Sequence, residues 1–191
     1  MINQKNNLKS ALVFLINKFE SLLSENIISK DDVENFETEF NDLNNSIDEL
    51  DSEIDYEIES YEGQIEEIID DVELEQDNKD NRIIGLNKLI YDMKDLKEEL
   101  DNFKWNEVLD FSSRVNELLD MCNNSGDYEV IGEHYIDEYL ENLLDDCYSD
   151  FINNKPCFIE IDMTATIDNM KLDYSSNSIT FDDKDYEFYY R

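Results

Sequence analysis

The sequence predicts a mainly α-helical fold: a long helical hairpin or coiled-coil bundle, followed by a small α+β domain that ends in a β-hairpin. Two observations carry this prediction. Apolar residues recur every three or four positions through most of residues 8–122, which is the period of a helix. One proline and four glycines among 191 residues leave room for long uninterrupted helices. We expect a helical bundle or coiled-coil hairpin in residues 1–124 and the α+β domain in residues 127–191.

The first predicted helix ends near Asn26. Its apolar residues follow i, i+3, i+4 spacing and form one wide face. Ser29, followed three residues later by Asp32, predicts a capping box at the start of the next helix, with Asp in place of the usual Glu. The apolar face of the first helix is made of Leu8, Ala11, Leu12, Leu15, Ile16, Phe19, Leu22 and Leu23.

A heptad stripe of apolar residues runs from Val33 to Val72, with one stutter between Ile54 and Ile58. It predicts one helix of about 42 residues, about 60–65 Å long at 1.5 Å per residue. Residues 51–59 also fit a strand, because acids occupy every odd position. The stripe continues in phase on both sides of this segment and favours the helix.

Residues 77–81 are polar and form the predicted turn between two long helices. A second apolar stripe, from Ile83 to Cys122, predicts that the chain folds back as an antiparallel hairpin. A further turn is expected at residues 123–126. The stutter and the apolar stripes also favour self-association as a homodimer, with an intramolecular bundle as the alternative.

The last third of the chain contains shorter elements. Residues 128–131 form a short strand or an extended lead-in, and a helix is expected from Tyr135 to Cys147. After Pro156, the residues from Ile161 to Leu172 suggest another short helix. The alternation in residues 178–181 and 186–190 predicts the terminal β-hairpin.

The charge of the chain excludes several classes of partner. Fifty acids against 15 bases give a net charge of −35, concentrated in residues 30–80 (−20) and 127–191 (−13). Such a chain repels phosphates, so we expect neither direct nucleic-acid binding nor membrane binding. No apolar run reaches the roughly 20 residues of a membrane-spanning helix. The apolar N-terminal stretch is interrupted by Asn17 and Lys18, so it is a poor signal peptide and a cytoplasmic location is expected.

No catalytic or metal-binding motif stands out. The three cysteines have no C-x-x-C spacing, and the single histidine, His134, lies between an acid and a tyrosine. The calcium-loop pattern fails because Lys79 occupies a ligand position and Arg82 stands where glycine is required. With so many carboxylates, no acid–base pair is specific. We expect no enzymatic activity, no cofactor and no metal.

The acidic part of the predicted long helix is the candidate functional element. Residues 31–77 contain no Lys or Arg, and carboxylates three or four residues apart on a helix lie about 5–6 Å from each other. This spacing is on the scale of a phosphate backbone, which predicts a basic, nucleic-acid-binding protein as partner. An ordinary solvated face that only confers solubility is the alternative. The candidate partner-binding residues are Glu53, Asp55, Glu57, Glu59, Glu62, Glu66, Glu67, Asp70, Asp71, Glu73 and Glu75, with Asp145 and Asp146 of the C-terminal domain second.

The C-terminal tail carries a recognisable pattern. Its elements are Ile161-Asp162, Thr166, Asn169, Asp173-Tyr174, Phe181-Asp182, Tyr186 and Arg191. With the acidic helix before it, this run of about 60 residues resembles the tail of ArdA-like antirestriction proteins of phages and plasmids. Met163 stands where that family has an aromatic residue, and Asp183 where it has a turn glycine. The resemblance implies inhibition of host defence by imitation of duplex DNA, and it implies no catalytic residue.

Together, charge and resemblance predict a non-enzymatic anti-defence protein that inhibits a host DNA-binding nuclease by DNA mimicry, in the host cytoplasm if it is phage-encoded. A restriction enzyme and a CRISPR effector are both eligible targets. Two alternatives stay open: a structural or scaffolding coiled-coil protein, and an acidic chaperone of a basic DNA-binding protein.

Overall fold

The computed structural model describes residues 2–72, 74–155 and 160–191. The mainly helical prediction is confirmed, as is the terminal β-hairpin. In chain order the elements are α1 (Ile2–Leu23), β1 (Ile27–Ser29), α2 (Lys30–Asp70), α3 (Gln76–Phe103), a π-helical turn (Lys104–Val108), α4 (Leu109–Asn124), β2 (Glu129–Gly132), α5 (Ile136–Asn154), α6 (Met163–Lys171), β3 (Ser175–Phe181) and β4 (Lys184–Tyr190).

The chain forms two compact units, and α1, α2 and α4 contribute to both. The first unit comprises Met1–Ile16 and Thr38–Ser112, and the second Asn17–Glu37 and Ser113–Arg191. The sequence predicts a different division, with a boundary between residues 124 and 127. The second unit also takes in β1 and the helix ends around it, because β1 pairs with β2.

Helix α2 begins with the predicted capping box. The Ser29 hydroxyl accepts a hydrogen bond from the Asp32 backbone N–H (3.2 Å), and the Asp32 carboxylate accepts one from the Ser29 backbone N–H (3.1 Å). The helix then continues for 41 residues, about 62 Å. The strand interpretation of residues 51–59 is wrong, since all of them lie within α2. The heptad residues from Val33 to Ile58 are buried, and this burial holds the helix in place.

The turn after α2 comes earlier than predicted. The helix ends at Asp70 and α3 begins at Gln76, so residues 77–81 lie in the first turns of α3. The Asn81 side chain donates to the Asp77 carbonyl at 2.8 Å and supports this helical start. Val72, which was expected to extend the buried stripe, is 94% exposed because α2 has already ended.

In the first unit α2 and α3 form the predicted antiparallel hairpin. Two α3 lysines, and Lys104 at the start of the π-helical turn, pair with α2 acids in descending order: Lys94 with Glu62 (3.5 Å), Lys97 with Asp55, and Lys104 with Asp48. The opposite numbering directions require antiparallel helices. Phe40 of α2 also contacts Phe111 of α4 edge to face, with 5.3 Å between ring centroids.

A π-helical turn at Lys104–Val108 separates α3 from α4. Phe103 and Val108 are five residues apart, yet both are buried. A regular α-helix would rotate the second of them away from the core, because the helix repeats every 3.6 residues. The wider turn absorbs the extra residue and keeps one continuous buried stripe.

The second unit contains a four-stranded antiparallel sheet in the order β1-β2-β4-β3. Ile28 of β1 lies opposite Val130 of β2, and Ile131 of β2 lies opposite Tyr189 of β4. Strand β1 was not predicted. Residues 129–132 form a strand, while Pro156 lies outside the described residues. Helices α5 and α6 pack against the sheet through Ile131, Ile136, Leu140, Leu144 and Ile167.

Candidate functional site: the acidic helix α2

Helix α2 concentrates negative charge along one continuous helix. Its 41 residues include 17 Asp and Glu, and Lys30, its first residue, is the one cation in its sequence. Over about 62 Å this amounts to one net negative charge for roughly every 4 Å of helix axis. These charges belong to a helix whose apolar stripe is buried, so they keep a fixed spacing.

Lysines of α3 neutralise one side of this helix. Lys97 pairs with Asp55 and lies 3.5 Å from Asp51, and the hydrogen bond with Asp55 raises the pKa of its ammonium group. Lys94 pairs with Glu62. Of the predicted site residues, Asp55 and Glu62 are therefore occupied by ion pairs within the first unit.

Two further predicted residues take part in local hydrogen bonds. The Glu53 carboxylate accepts a bond of 3.2 Å from the Gln4 side chain. The Tyr61 phenol donates to Glu57, and this bond raises the pKa of the phenol. Glu53 is exposed and Glu57 is partly buried.

A different side of α2 is open. Positions 45, 49, 52, 56, 59, 63, 67 and 70 advance by three or four residues and therefore share one face. The carboxylates of Glu49, Glu59, Glu67 and Asp70 on this face are exposed, and none has an ion-pair or hydrogen-bond donor among the described residues. We call these four residues the open acidic face. Of the four, Glu49 was not among the predicted site residues.

The first half of this face carries an exposed aromatic side chain, since Tyr56 is 71% exposed. An exposed ring beside carboxylates suits cationic side chains, because both the ring face and the carboxylates attract them. The surface around the ring is formed by α2 alone, through Asn45, Asp48, Glu49, Ser52, Glu53 and Glu57.

The predicted surface does not continue as one helix to Glu75. Asp71 follows the end of α2, and its backbone N–H donates to the Glu67 carbonyl at 3.1 Å. Glu75 is the extended N-cap residue of α3, and Glu73 lies outside the described residues. The helical acid surface therefore ends at Asp70.

The C-terminal candidates belong to the second unit. Asp145 and Asp146 are exposed on α5, together with Glu141 and Asp150 of the same helix. They form an acidic surface of their own, which supplies a natural comparison for the open acidic face.

The described cysteine and histidine side chains lie outside α2. His134 Nε2 lies 2.9 Å from Asn26 Oδ1. Burial raises the pKa of the Cys122 thiol to about 11, with a smaller contribution from Asp32, which leaves a poor nucleophile. Cys147 is exposed, and Cys157 lies outside the described residues. Among the described residues, no group of three or more His, Cys, Asp or Glu side chains is arranged to hold a metal ion.

Comparison of the chain with protein-family models, with curated proteins and with solved structures gives no match. The resemblance of the tail to ArdA-like proteins therefore stays a prediction. No helix in the described part of the chain is long and apolar enough to cross a membrane.

Proposed function

We propose that this protein is a non-enzymatic inhibitor that occupies the DNA-binding surface of a host nuclease of a defence system, either a restriction enzyme or a CRISPR effector. The observation that carries the proposal is helix α2: a 41-residue helix with 17 acids and a single lysine, whose open acidic face pairs with no cation among the described residues. The partner is recognised through its cationic DNA-binding groove.

The charge spacing of α2 supports this function. One strand of B-DNA carries one negative charge per 3.4 Å of axis. Helix α2 carries about one per 4 Å before its ion pairs are counted. A groove whose lysines and arginines are placed to neutralise the phosphates of one strand therefore meets a similar linear charge density along α2.

The rigidity of α2 supports it as well. The capping box of Ser29 and Asp32 fixes the start of the helix, and the buried heptad stripe fixes its length. A ligand whose charges are already in place loses little conformational entropy on binding. A flexible acidic tail would have to be ordered first.

The cost of this surface argues against a role in solubility alone. Like charges three or four residues apart destabilise a helix by a few tenths of a kcal/mol per pair. Interspersed bases relieve that repulsion, yet residues 31–77 have none. A chain needing only solubility would retain net charge with mixed signs.

The test is capture followed by competition. The full chain is immobilised, incubated with host lysate and washed, and bound protein is released with duplex DNA and identified by mass spectrometry. A nuclease that duplex DNA releases, and whose DNA cleavage the free chain inhibits, supports the proposal. The control is the E49Q/E59Q/E67Q/D70N variant, which should capture far less of it.

Other captured proteins would overturn the proposal. A basic protein that the chain holds without blocking DNA cleavage would identify a chaperone. Capture only of proteins that duplex DNA does not release would identify a scaffolding role.

A further inference from the structure

The far end of the α2–α3 hairpin exposes large apolar side chains. Ile69 of α2 is 58% exposed, and Ile84 and Tyr91 of α3 are 67% and 65% exposed. The neighbouring heptad residue Ile68 is buried, so Ile69 lies outside the core of the hairpin. Exposed apolar residues that cluster on one element mark an interaction surface more often than scattered ones do.

On α3, the exposed apolar side chains form a stripe that contains one cation. Ile84, Lys88 and Tyr91 follow i, i+4, i+7 spacing and share one face. Lys88 is exposed, and no described residue accepts a hydrogen bond or ion pair from it. This is an apolar stripe with a free positive charge at its centre.

On α2, the matching stripe has the opposite charge. Glu62, Glu66 and Ile69 have the same i, i+4, i+7 spacing, and Glu66 is exposed without a donor among the described residues. The Lys94–Glu62 ion pair links the two helices beside these stripes, since Lys94 lies one turn beyond Tyr91. The two stripes therefore adjoin on one side of the hairpin, and we call them together the arm face.

The ion pairs also set the height of each residue along the hairpin. Lys97 pairs with Asp55 and Lys94 with Glu62. Counting back along α3 and forward along α2 from these pairs, Lys88 lies level with Glu66, and Ile84 lies level with Ile69.

We propose that the arm face is the homodimer interface and that its occupant is a second copy of this chain. A two-fold axis parallel to the hairpin places α3 of each copy over α2 of the other without a change in height. Lys88 then faces Glu66 of the partner subunit, and Ile84 packs against Ile69 of the partner subunit, twice by symmetry.

Charge complementarity favours this arrangement over the other two-fold arrangement of the hairpins. A two-fold axis across the helices would place α2 on α2, so that carboxylates of both copies would face each other. Glu66 lies beside Glu59 and Asp70 on α2. The dimer proposal rests on Glu66 and α3, and the E49Q/E59Q/E67Q/D70N variant leaves those residues unchanged, so the two proposals can fail separately.

The test is the molar mass measured by sedimentation equilibrium at up to about 100 μM, a range that detects modest affinities. The chain has a mass of 22.7 kDa, and the dimer should give twice that value. The I84E/Y91E variant should be monomeric, with circular dichroism unchanged because both side chains are exposed. The matched control is V13E/F14E in α1, whose side chains are 58% and 65% exposed and which should remain dimeric.

A charge exchange tests the pairing itself. Lys88→Glu and Glu66→Lys should each raise the dimer dissociation constant by about tenfold, since each places like charges together at two symmetric positions. An equimolar mixture of the two variants should recover the original affinity, because every facing pair is again opposite in sign.

Three results would overturn the proposal: a monomeric chain throughout the concentration range, a dimer lost in V13E/F14E but kept in I84E/Y91E, and an exchange mixture no tighter than the single variants.

Discussion

At the start of α2, the side chains of Ser29 and Asp32 each accept a hydrogen bond from the backbone N–H of the other residue. The two side chains also form a hydrogen bond with each other, with 2.6 Å between Ser29 Oγ and the Asp32 carboxylate. This small reciprocal contact stands at the junction of β1 with the longest helix of the chain. It fixes where the acidic surface begins.

Removing the capping box should destabilise the fold. Ser29→Ala and Asp32→Ala should each lower the free energy of unfolding by about 1 kcal/mol, because the first leaves the Asp32 N–H and the second the Ser29 N–H without its acceptor. The double variant should lose less than the sum, since the two contacts are one unit. Urea unfolding measures all three; Asp31→Ala, which removes a first-turn acid outside the capping box, should cost less.

Much of the fold follows from the periodicity of the sequence, and the exceptions have physical causes. The capping box and the long helices involve residues close in sequence, so they were predictable. Strand β1 was not, because Ile28 gains its strand conformation from Val130, about 100 residues away. The end of α2 was misplaced because residues 77–81 combine turn-forming composition with side chains that support a helix start, such as Asn81 on Asp77.

The sequence predicts that the candidate site lies on a helix, but it does not predict which face of that helix carries the unpaired carboxylates. Fifty carboxylates look alike in a sequence, and their separation into paired and open ones depends on which lysines of the facing segment reach them. The descending match of Lys94, Lys97 and Lys104 with acids of α2 was a signal that an antiparallel hairpin model could have used. It would have set aside Asp55 and Glu62.

The π-helical turn should be removable. Deleting Asn106 turns the five-residue step from Phe103 to Val108 into four, so the buried stripe continues in an ordinary α-helix. We expect the free energy of unfolding of this variant, measured by thermal unfolding, to lie within about 1 kcal/mol of that of the parent. Deleting Asn116 of α4 is the matched control and should be strongly destabilising, because it rotates Leu118 by about 100° out of the core.

The Lys97 ion pair should contribute stability that depends on pH. The pKa of the Lys97 ammonium group is raised in the folded chain, mainly by the hydrogen bond with Asp55. The ion pair therefore contributes its full stability below the pKa that Lys97 has in the unfolded chain, and this contribution is lost as the pH rises through the pKa of the folded chain. Lys97→Met should cost roughly 1 kcal/mol at pH 7, and this difference should shrink at strongly alkaline pH.

The more exposed Lys94 supplies the control for that measurement. Lys94→Met should cost less at pH 7, since its pair with Glu62 is longer, at 3.5 Å, and open to solvent. Equal losses for both variants, with no change at high pH, would contradict the assignment.

The thiols should differ in reactivity. In a Cys157→Ser background, iodoacetamide at pH 8 should alkylate the exposed Cys147 first, because Cys122 is buried and burial raises its thiol pKa to about 11. Peptide mass spectrometry over time measures both rates. In urea the two rates should converge; comparable rates in the folded chain would contradict the burial of Cys122.

The central claim is that the open acidic face of α2 binds a cationic DNA-binding groove, and its most direct test is the salt dependence of affinity for the captured nuclease. Two variants remove the same number of charges: E49Q/E59Q/E67Q/D70N on α2 and E141Q/D145N/D146N/D150N on α5. The α2 variant should bind roughly 100- to 1000-fold more weakly, from about 1 kcal/mol or less per exposed charge, and with a shallower dependence on salt. The α5 variant should stay within about threefold of the parent. Equal losses in both variants, or an α2 variant that binds as the parent does at every salt concentration, would contradict the claim.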